Sequence, residues 1–361
     1  MNNILLLFII IILIVSIQQY LLTINEHFRE GDTYSTDGEL HKDLIDILNE
    51  LNITPSENGT YFIPSDYNYC EKTIRELNVK YKYVFVMDGC DIIGSKIALW
   101  NVLRKTYGLH EATKYMPRTY LYSNNADMLE LYDKMNEQYY NNKQMYILKN
   151  YEQRQEGLKI VNTWDEINDN NNKKQYYLIQ QYLYNPLLIA KRKTNMRIYL
   201  LIVCNSIFNG YIYNDGFMYY TPNEYDEHSI DFDKHITTGY IDRQIYIDNP
   251  LTINDLRNYL GEDKSIILDT NIAQLMFKVC YALSSNVCNN IIGTNSVRFQ
   301  IYGVDIAPLN DLSVQLMEIN KGPDLGFKDE RDKKVKRNMQ IDIFKIVNPA
   351  LGELTNFKKI Y

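Results

Sequence analysis

Phe299-Gln-Ile-Tyr-Gly-Val-Asp-Ile306 and Val314-Gln-Leu-Met-Glu-Ile-Asn320, joined by Leu309-Asn-Asp-Leu-Ser313, decide how the C-terminal part of this chain folds. Two apolar runs around a turn-forming Asn-Asp pair give the pattern of an antiparallel hairpin. A turn centred on Asp311-Leu312 sets Asp305 opposite Glu318, and the two-residue period of a strand puts Asn320 on the same face. Two carboxylates about 4 Å apart at an effective dielectric near 20 repel by roughly 4 kcal/mol, so a positive group belongs between them. Carboxylate and amide oxygens are hard ligands. Asp305, Glu318 and Asn320 therefore suit Mg²⁺, which keeps its remaining positions for water and phosphate. The flanking Ile, Val, Leu and Met argue for a partly buried sheet over a solvated edge.

Strands dominate around this hairpin, at 197–203, 207–213, 217–220, 296–306 and 313–319, with helices expected over 271–284 and 328–347. Upstream, Tyr83-Val-Phe-Val-Met87 reads as a strand, and Ile97, Leu99, Trp100 and Leu103 fall at helical spacing within 96–107. Met145-Tyr-Ile-Leu-Lys149 and Tyr177-Leu-Ile-Gln-Gln181 read as two more strands, and the Asn-rich stretch 168–174 between them as an exposed loop. A further helix is expected near 41–51. The fold class is α+β, with a largely antiparallel C-terminal sheet.

With 45% hydrophobic and 23% charged residues over 361 positions, the chain is globular and long enough for two or three cores. A net charge of -7 argues against a general nucleic-acid binder, whose phosphate-tracking surface needs surplus Lys and Arg. Cys70, Cys90, Cys204, Cys280 and Cys288 are widely spaced and odd in number, which favours reduced buried thiols over a disulfide frame or a zinc site. Residues 4–17 are apolar but for Ser16, and no charged side chain precedes Glu26. Residues 1–24 thus suit a membrane anchor or a signal-peptide core, the solid run being shorter than the roughly 17–25 residues of a spanning helix.

Five further segments, taken with the hairpin, resemble the tubulin–tyrosine ligase-like family of the ATP-grasp fold over about residues 96–349. The hairpin is similar to that family's metal-binding end. Gln180-Gln-Tyr-Leu-Tyr-Asn-Pro-Leu-Leu-Ile189, Lys193-Thr-Asn-Met-Arg197 and Met116-Pro-Arg-Thr-Tyr120 resemble three of its segments. Lys96, with Leu99 and Asn101, matches a Lys-containing helix start, and Arg154-Gln-Glu-Gly157 matches its phosphate loop. The resemblance implies an N-terminal α/β lobe (25–95), a central lobe (96–190) and a C-terminal lobe (191–361) that enclose an ATP cleft.

It also implies roles. Lys96, Lys149 and Lys193 would meet nucleotide, with Arg154 and Gly157 closing over the phosphates. Gln180, Gln181, Tyr182 and Leu183 would form the adenine hinge. Arg197 would be the catalytic-centre arginine that forks a substrate carboxylate, with Tyr219 and Thr238 beside the substrate. The chain departs from the family at Asn150 (usually Pro), Gln155 (Gly), Asn195 (Asp, in a nucleotide-binding position), Tyr219 (Arg) and Thr238 (Asn). No catalytic triad is needed, so His235 has no assigned role.

The activity implied is an ATP- and Mg²⁺-dependent carboxylate–amine ligase that joins a free amino acid to a protein acceptor, tubulin or another acidic-tailed protein, through an acyl phosphate. The alternatives that the departures also suit are an ATP-binding chain without ligase activity, tethered to a membrane, and a ligase that makes small peptides. The anchor would hold the catalytic part facing cytosol, where ATP and tubulin are, or on a virion or organelle membrane.

Overall fold

A computed structural model of the chain describes residues 31–66, 71–138, 144–150, 157–239, 241–288 and 296–361. Residues 1–24, with the expected anchor, lie outside these, as do Arg154, Gln155 and Cys70.

Four short strands come first: β1 (Thr33–Ser35), β2 (Thr54–Pro55), β3 (Tyr61–Phe62) and β4 (Tyr83–Val84), paired in parallel. Next come β5 (Thr119–Leu121), β6 (Tyr146–Lys149), β7 (Leu158–Val161) and β8 (Leu178–Gln181), which form an antiparallel sheet in the order β5-β8-β6-β7. The rest are β9 (Leu188–Ile189), β10 (Arg192–Cys204), β11 (Phe208–Tyr213), β12 (Phe217–Tyr220), β13 (Val297–Pro308), β14 (Val314–Asn320) and β15 (Phe357–Lys359). These seven strands pair antiparallel and join the first four through a parallel β13–β4 contact, giving one sheet of eleven strands. The molecule is a mixed α+β fold.

β10 is the spine of the large sheet. Its run Ile198–Cys204 is buried without interruption, so both faces are covered. Helix α1 (Glu262–Ser284) covers one face, where a Cβ on Gly210 of β11 would lie 2.8 Å from Cys280 Sγ. Helix α2 (Glu330–Val347) covers the other, its Phe344 ring packing against Tyr61, Phe85 and Phe299. Among the described residues α1 alone is long and apolar enough to cross a membrane, but Leu268, Ile272, Leu275, Met276, Val279 and Leu283 are spent on the core. In the small sheet, Tyr120, Tyr146, Leu148 and Ile179 form a second core on one face.

Four expectations change. The strand expected over 83–87 shrinks to Tyr83–Val84. The stretch 168–174 is not a loop: it carries the end of one helix (Trp164–Asn168) and most of a second (Asn170–Gln175). Thr163 and Glu166 form a capping box on the first, and Asp169 accepts from Asn171 and Asn172 N–H on the second, so caps outweigh the loop-like composition. Cys204 and Cys288 are disulfide-bonded, their Cα atoms 5.6 Å apart across 84 residues of sequence, whereas Cys90 and Cys280 are buried and not disulfide-bonded. The fold brings the end of β10 beside the segment that follows α1, a proximity with no local sequence signal.

The hairpin is the fourth. Pro308 pairs with Val314 and Ala307 with Gln315, one residue short of the register that a turn centred on Asp311-Leu312 requires. A bulge between Asp305 and Ile306 then restores the expected pairing of Asp305 with Glu318 and of Gly303 with Asn320.

Candidate active site

Strand alternation explains why one face of the large sheet carries the chemistry. Lys193, Asn195 and Arg197 occupy alternate positions on β10, and Arg197 is paired with Asp305 on β13 while Asn195 is paired with Tyr219 on β12. Glu318 and Asn320 of β14 extend that face. On the small sheet, the face opposite its core presents Thr119, Lys149, Gln180 and Tyr182. The two faces meet, because Lys193 Nζ of β10 donates to the Tyr182 hydroxyl at 3.0 Å.

The three expected metal ligands converge. Asn320 Nδ2 donates to Asp305 Oδ2 at 3.3 Å and to Glu318 Oε1 at 3.2 Å. The expected positive groups are present: Lys96 Nζ lies 3.0 Å from Glu318 Oε2, and Arg197 forks Asp305 at 2.5 Å through Nε and 2.9 Å through Nη2. Lys96 is set there by Ser95, which caps its helix by accepting from Ala98 N–H. Burial pushes the Asp305 carboxyl up against the pull of Arg197, whereas Lys96 and Lys149 outweigh burial and hold Glu318 down. The fork that the resemblance reserves for a substrate carboxylate is thus engaged by Asp305. Gly303 makes room for it, since a Cβ there would lie 3.0 Å from Arg197 Cδ and 3.1 Å from Nη1.

Two of the three lysines expected to meet nucleotide are buried, at 6% exposure for Lys149 and 7% for Lys193. Burial lowers Lys149 to about 8, with Glu318 and Asp305 opposing and Lys96 assisting. Burial lowers Lys193 to about 7, and Lys149 adds repulsion. Neutral oxygens receive their protons: Lys149 Nζ donates to Gln180 Oε1 at 2.6 Å, and Lys193 Nζ to the Tyr182 hydroxyl at 3.0 Å. Gln180 Nε2 in turn donates to Thr119 Oγ1, whose own proton goes to the Pro117 carbonyl, which fixes the amide orientation.

Gln181 N–H is taken by the Arg118 carbonyl and Tyr182 N–H by the Met145 carbonyl, which fixes the backbone ahead of Leu183. Gly157 closes the small sheet by accepting from Asn150 N–H. Arg197 lies 5.5 Å from the Tyr219 ring centroid, and Tyr219 in turn packs over Gly239, next to Thr238, whose N–H bonds the Tyr220 carbonyl. Hydrogen bonds and ion pairs thus join Lys96, Arg197, Asp305, Glu318 and Asn320 beside Tyr219, and tie Lys193 to Tyr182 and Lys149 to Gln180, in the cleft where the two sheet faces meet.

Sequence reasoning gave no role to Thr119, although it stands in the quoted Met116–Tyr120 segment, and set His235 aside. His235 is 1% exposed and accepts from Tyr182. A buried histidine beside a tyrosine of the expected hinge was the available signal.

Two carboxylates and an amide within reach of one another are hard-ligand chemistry, but Asn320 turns its Nδ2 toward both carboxylates, Arg197 forks Asp305, and among the described residues no cluster of three or more His, Cys, Asp or Glu could hold a metal. Asn195 Oδ1, on the same face, is buried without a hydrogen-bond partner among the described residues, an acceptor left for something that enters the cleft.

The model of the tubulin-tyrosine ligase family matches residues 76–355, which include every residue of this cleft. A probable tubulin polyglutamylase, ttll-9, of Caenorhabditis elegans is 26% identical over 208 residues, 54% of this chain and 49% of the relative. Tubulin polyglutamylase TTLL5 of Mus musculus is 24% identical over 212 residues, 53% of this chain and 16% of that protein. Tubulin glycylase 3C of Tetrahymena thermophila is 25% identical over 204 residues, covering 53% and 19%. The match spans about half the length of the worm relative and less than a fifth of the other two. On the family match across most of its length, the chain belongs to the tubulin-tyrosine ligase family.

Proposed function

We propose that this protein is an ATP-dependent ligase of the ATP-grasp type that adds an amino acid to a carboxylate of a protein acceptor, tubulin or another protein with an acidic tail. One observation carries the reading: two buried lysines on facing sheets, Lys149 and Lys193, lie where the sheets meet, and the face that carries Lys193 also carries Asp305, Glu318 and Asn320. Two desolvated ammonium groups that repel each other are costly in a resting protein, and an incoming polyphosphate relieves that cost. The amino-acid acceptor and donor follow from the relatives' tubulin polyglutamylase and glycylase names.

In this reading an acceptor carboxylate oxygen attacks the γ-phosphorus, ADP leaves, and an acyl phosphate forms. The amine of the incoming amino acid then attacks the carbonyl carbon, loses a proton, and expels inorganic phosphate as the amide forms. Lys149 and Lys193 hold the phosphates in line and offset the charge of transfer. The apolar patch of Met145, Ile147, Tyr182 and Ile236 borders them and gives the base a dry seat. Asp305, Glu318 and Asn320 would hold Mg²⁺, which offsets phosphate charge when bound. Arg197 keeps the Asp305 carboxylate in place, and Tyr219 faces the acceptor side.

The N-terminal apolar run, as an anchor, would keep this cleft on the cytosolic side. The test is ADP release by the full chain with Mg²⁺, an acidic peptide acceptor and a free amino acid. Release that needs both co-substrates, with a matching mass gain on the acceptor, is expected. ATP binding without acceptor-dependent ADP release would reject the ligase.

A further inference from the structure

Lys193 ends a chain of hydrogen bonds whose direction is set from the opposite end. The Ser229 carbonyl can only accept, so at 2.8 Å it makes His235 Nε2 the protonated nitrogen. In the neutral ring Nδ1 is then an acceptor, and the Tyr182 hydroxyl, 2.8 Å away, donates to it. The hydroxyl oxygen keeps its lone pairs for Lys193 Nζ, which donates at 3.0 Å.

The surroundings keep the imidazole neutral. Burial lowers the His235 pKa and Lys193 lowers it further, whereas the bond to Ser229 and the Asp226 and Asp231 charges oppose them more weakly. Asp226 is committed to Lys234 at 3.1 Å, and Asp231 caps the short helix Phe232–His235. Tyr225 and Tyr182 meet the imidazole edge-on, at 5.5 and 5.2 Å between centroids.

Lys193 gains what it otherwise lacks. Among the described residues no carboxylate pairs with it, and Lys149 repels it. The Tyr182 oxygen, together with the ring face 4.2 Å from Nζ, supplies the negative potential that favours the ammonium.

We propose that Tyr182 and His235 are positioning residues: the chain from Ser229 through His235 and Tyr182 holds the Lys193 ammonium, charged and aimed, for a nucleotide phosphate. The inference rests on the cleft being an ATP site. Tyr182 thereby serves the nucleotide through its hydroxyl as well as through any backbone contact to the base.

The experiment titrates ATP with Mg²⁺ into the full chain by calorimetry across a pH series, for the wild type, Tyr182→Phe, His235→Phe and His235→Gln. Tyr182→Phe keeps the ring and its packing and removes only the hydroxyl. It should weaken ATP about tenfold near neutral pH, as should His235→Phe. His235→Gln, whose amide offers one donor and one acceptor, should bind nearly as the wild type does.

The profile separates positioning from mere structure. Binding needs the ammonium, so affinity falls as pH rises through the Lys193 pKa of the free protein, near 7 in the wild type. In Tyr182→Phe the fall should begin at lower pH by about half a unit or more, because the acceptor that favours the charged form is gone. Unchanged affinity and profile in Tyr182→Phe and His235→Phe would overturn the inference and leave the ATP site standing. Uniform weakening with no movement of the profile and no rescue by His235→Gln would overturn it too. A wild type that does not bind ATP would remove the ATP site and the inference together.

Discussion

The cations at the two ends of the cleft are held in opposite ways, the two lysines being buried and the Arg197 side chain 16% exposed. Arg197, at the end proposed to take the acceptor, is neutralised by a two-bond fork to Asp305 and raised by it despite burial. Lys149 and Lys193, at the end proposed to take the nucleotide, receive only neutral oxygens from Gln180 and Tyr182 and are lowered by burial. An arginine whose fork is filled is a fixed part of the floor. A lysine held by dipoles keeps its charge for a ligand, at a cost in stability to the empty protein.

The largest test of this contrast is Asp305→Ala. It strands a buried guanidinium and should lower the free energy of unfolding by about 3–5 kcal/mol, read by denaturant titration. A loss below about 1 kcal/mol would mean that Arg197 finds another partner and is no fixed floor. Gly303→Ala sharpens the same point from the other side. Its Cβ would press on Arg197 Cδ and Nη1, displace the guanidinium, and cost about 1–3 kcal/mol without touching any charge.

Lys193→Met should act in the opposite sense, raising stability by about 1–2 kcal/mol while abolishing ATP binding. The sign follows from linkage. The folded pKa lies near 7, below the unfolded value of 10.5, so the lysine's cost is fully present below pH 7 and is relieved as pH rises towards 10.5. The gain in Tm over the wild type should therefore be greatest below pH 7 and shrink above it. A destabilised Lys193→Met at neutral pH would show that the lysine is a structural support.

The two ends also differed in how far the sequence revealed them. The hairpin placed Asp305 opposite Glu318, because a two-residue period is a local property, whereas Lys193 and Asn195 were picked out only by the resemblance, the expected strand starting at 197 and the observed one at Arg192. The bulge at Asp305/Ile306 was not legible. The pairing of Asp305 with Glu318 survived because the bulge offset a turn that closes earlier than assumed. Helices hidden in the Asn-rich 168–174 stretch were obscured by composition, although Thr163 and Asp169 are ordinary caps. The Arg197 fork to Asp305 depends on two strands separated by 108 residues, and the His235 relay on a ring 53 residues from Tyr182, so neither leaves a trace in local pattern. The same holds for the Cys204–Cys288 bond.

The central claim, that ATP activates an acceptor carboxylate in this cleft, is tested most directly by oxygen transfer. An acidic peptide with ¹⁸O-labelled carboxylates is incubated with the full chain, ATP, Mg²⁺ and a free amino acid, and the released inorganic phosphate is analysed by mass spectrometry. An acyl phosphate carries a carboxylate oxygen into the leaving group, so one ¹⁸O atom should appear in phosphate for each amide formed at a fully labelled carboxylate. Amide formation with unlabelled phosphate, or labelled peptide that stays unmodified while ATP is bound, would contradict the account.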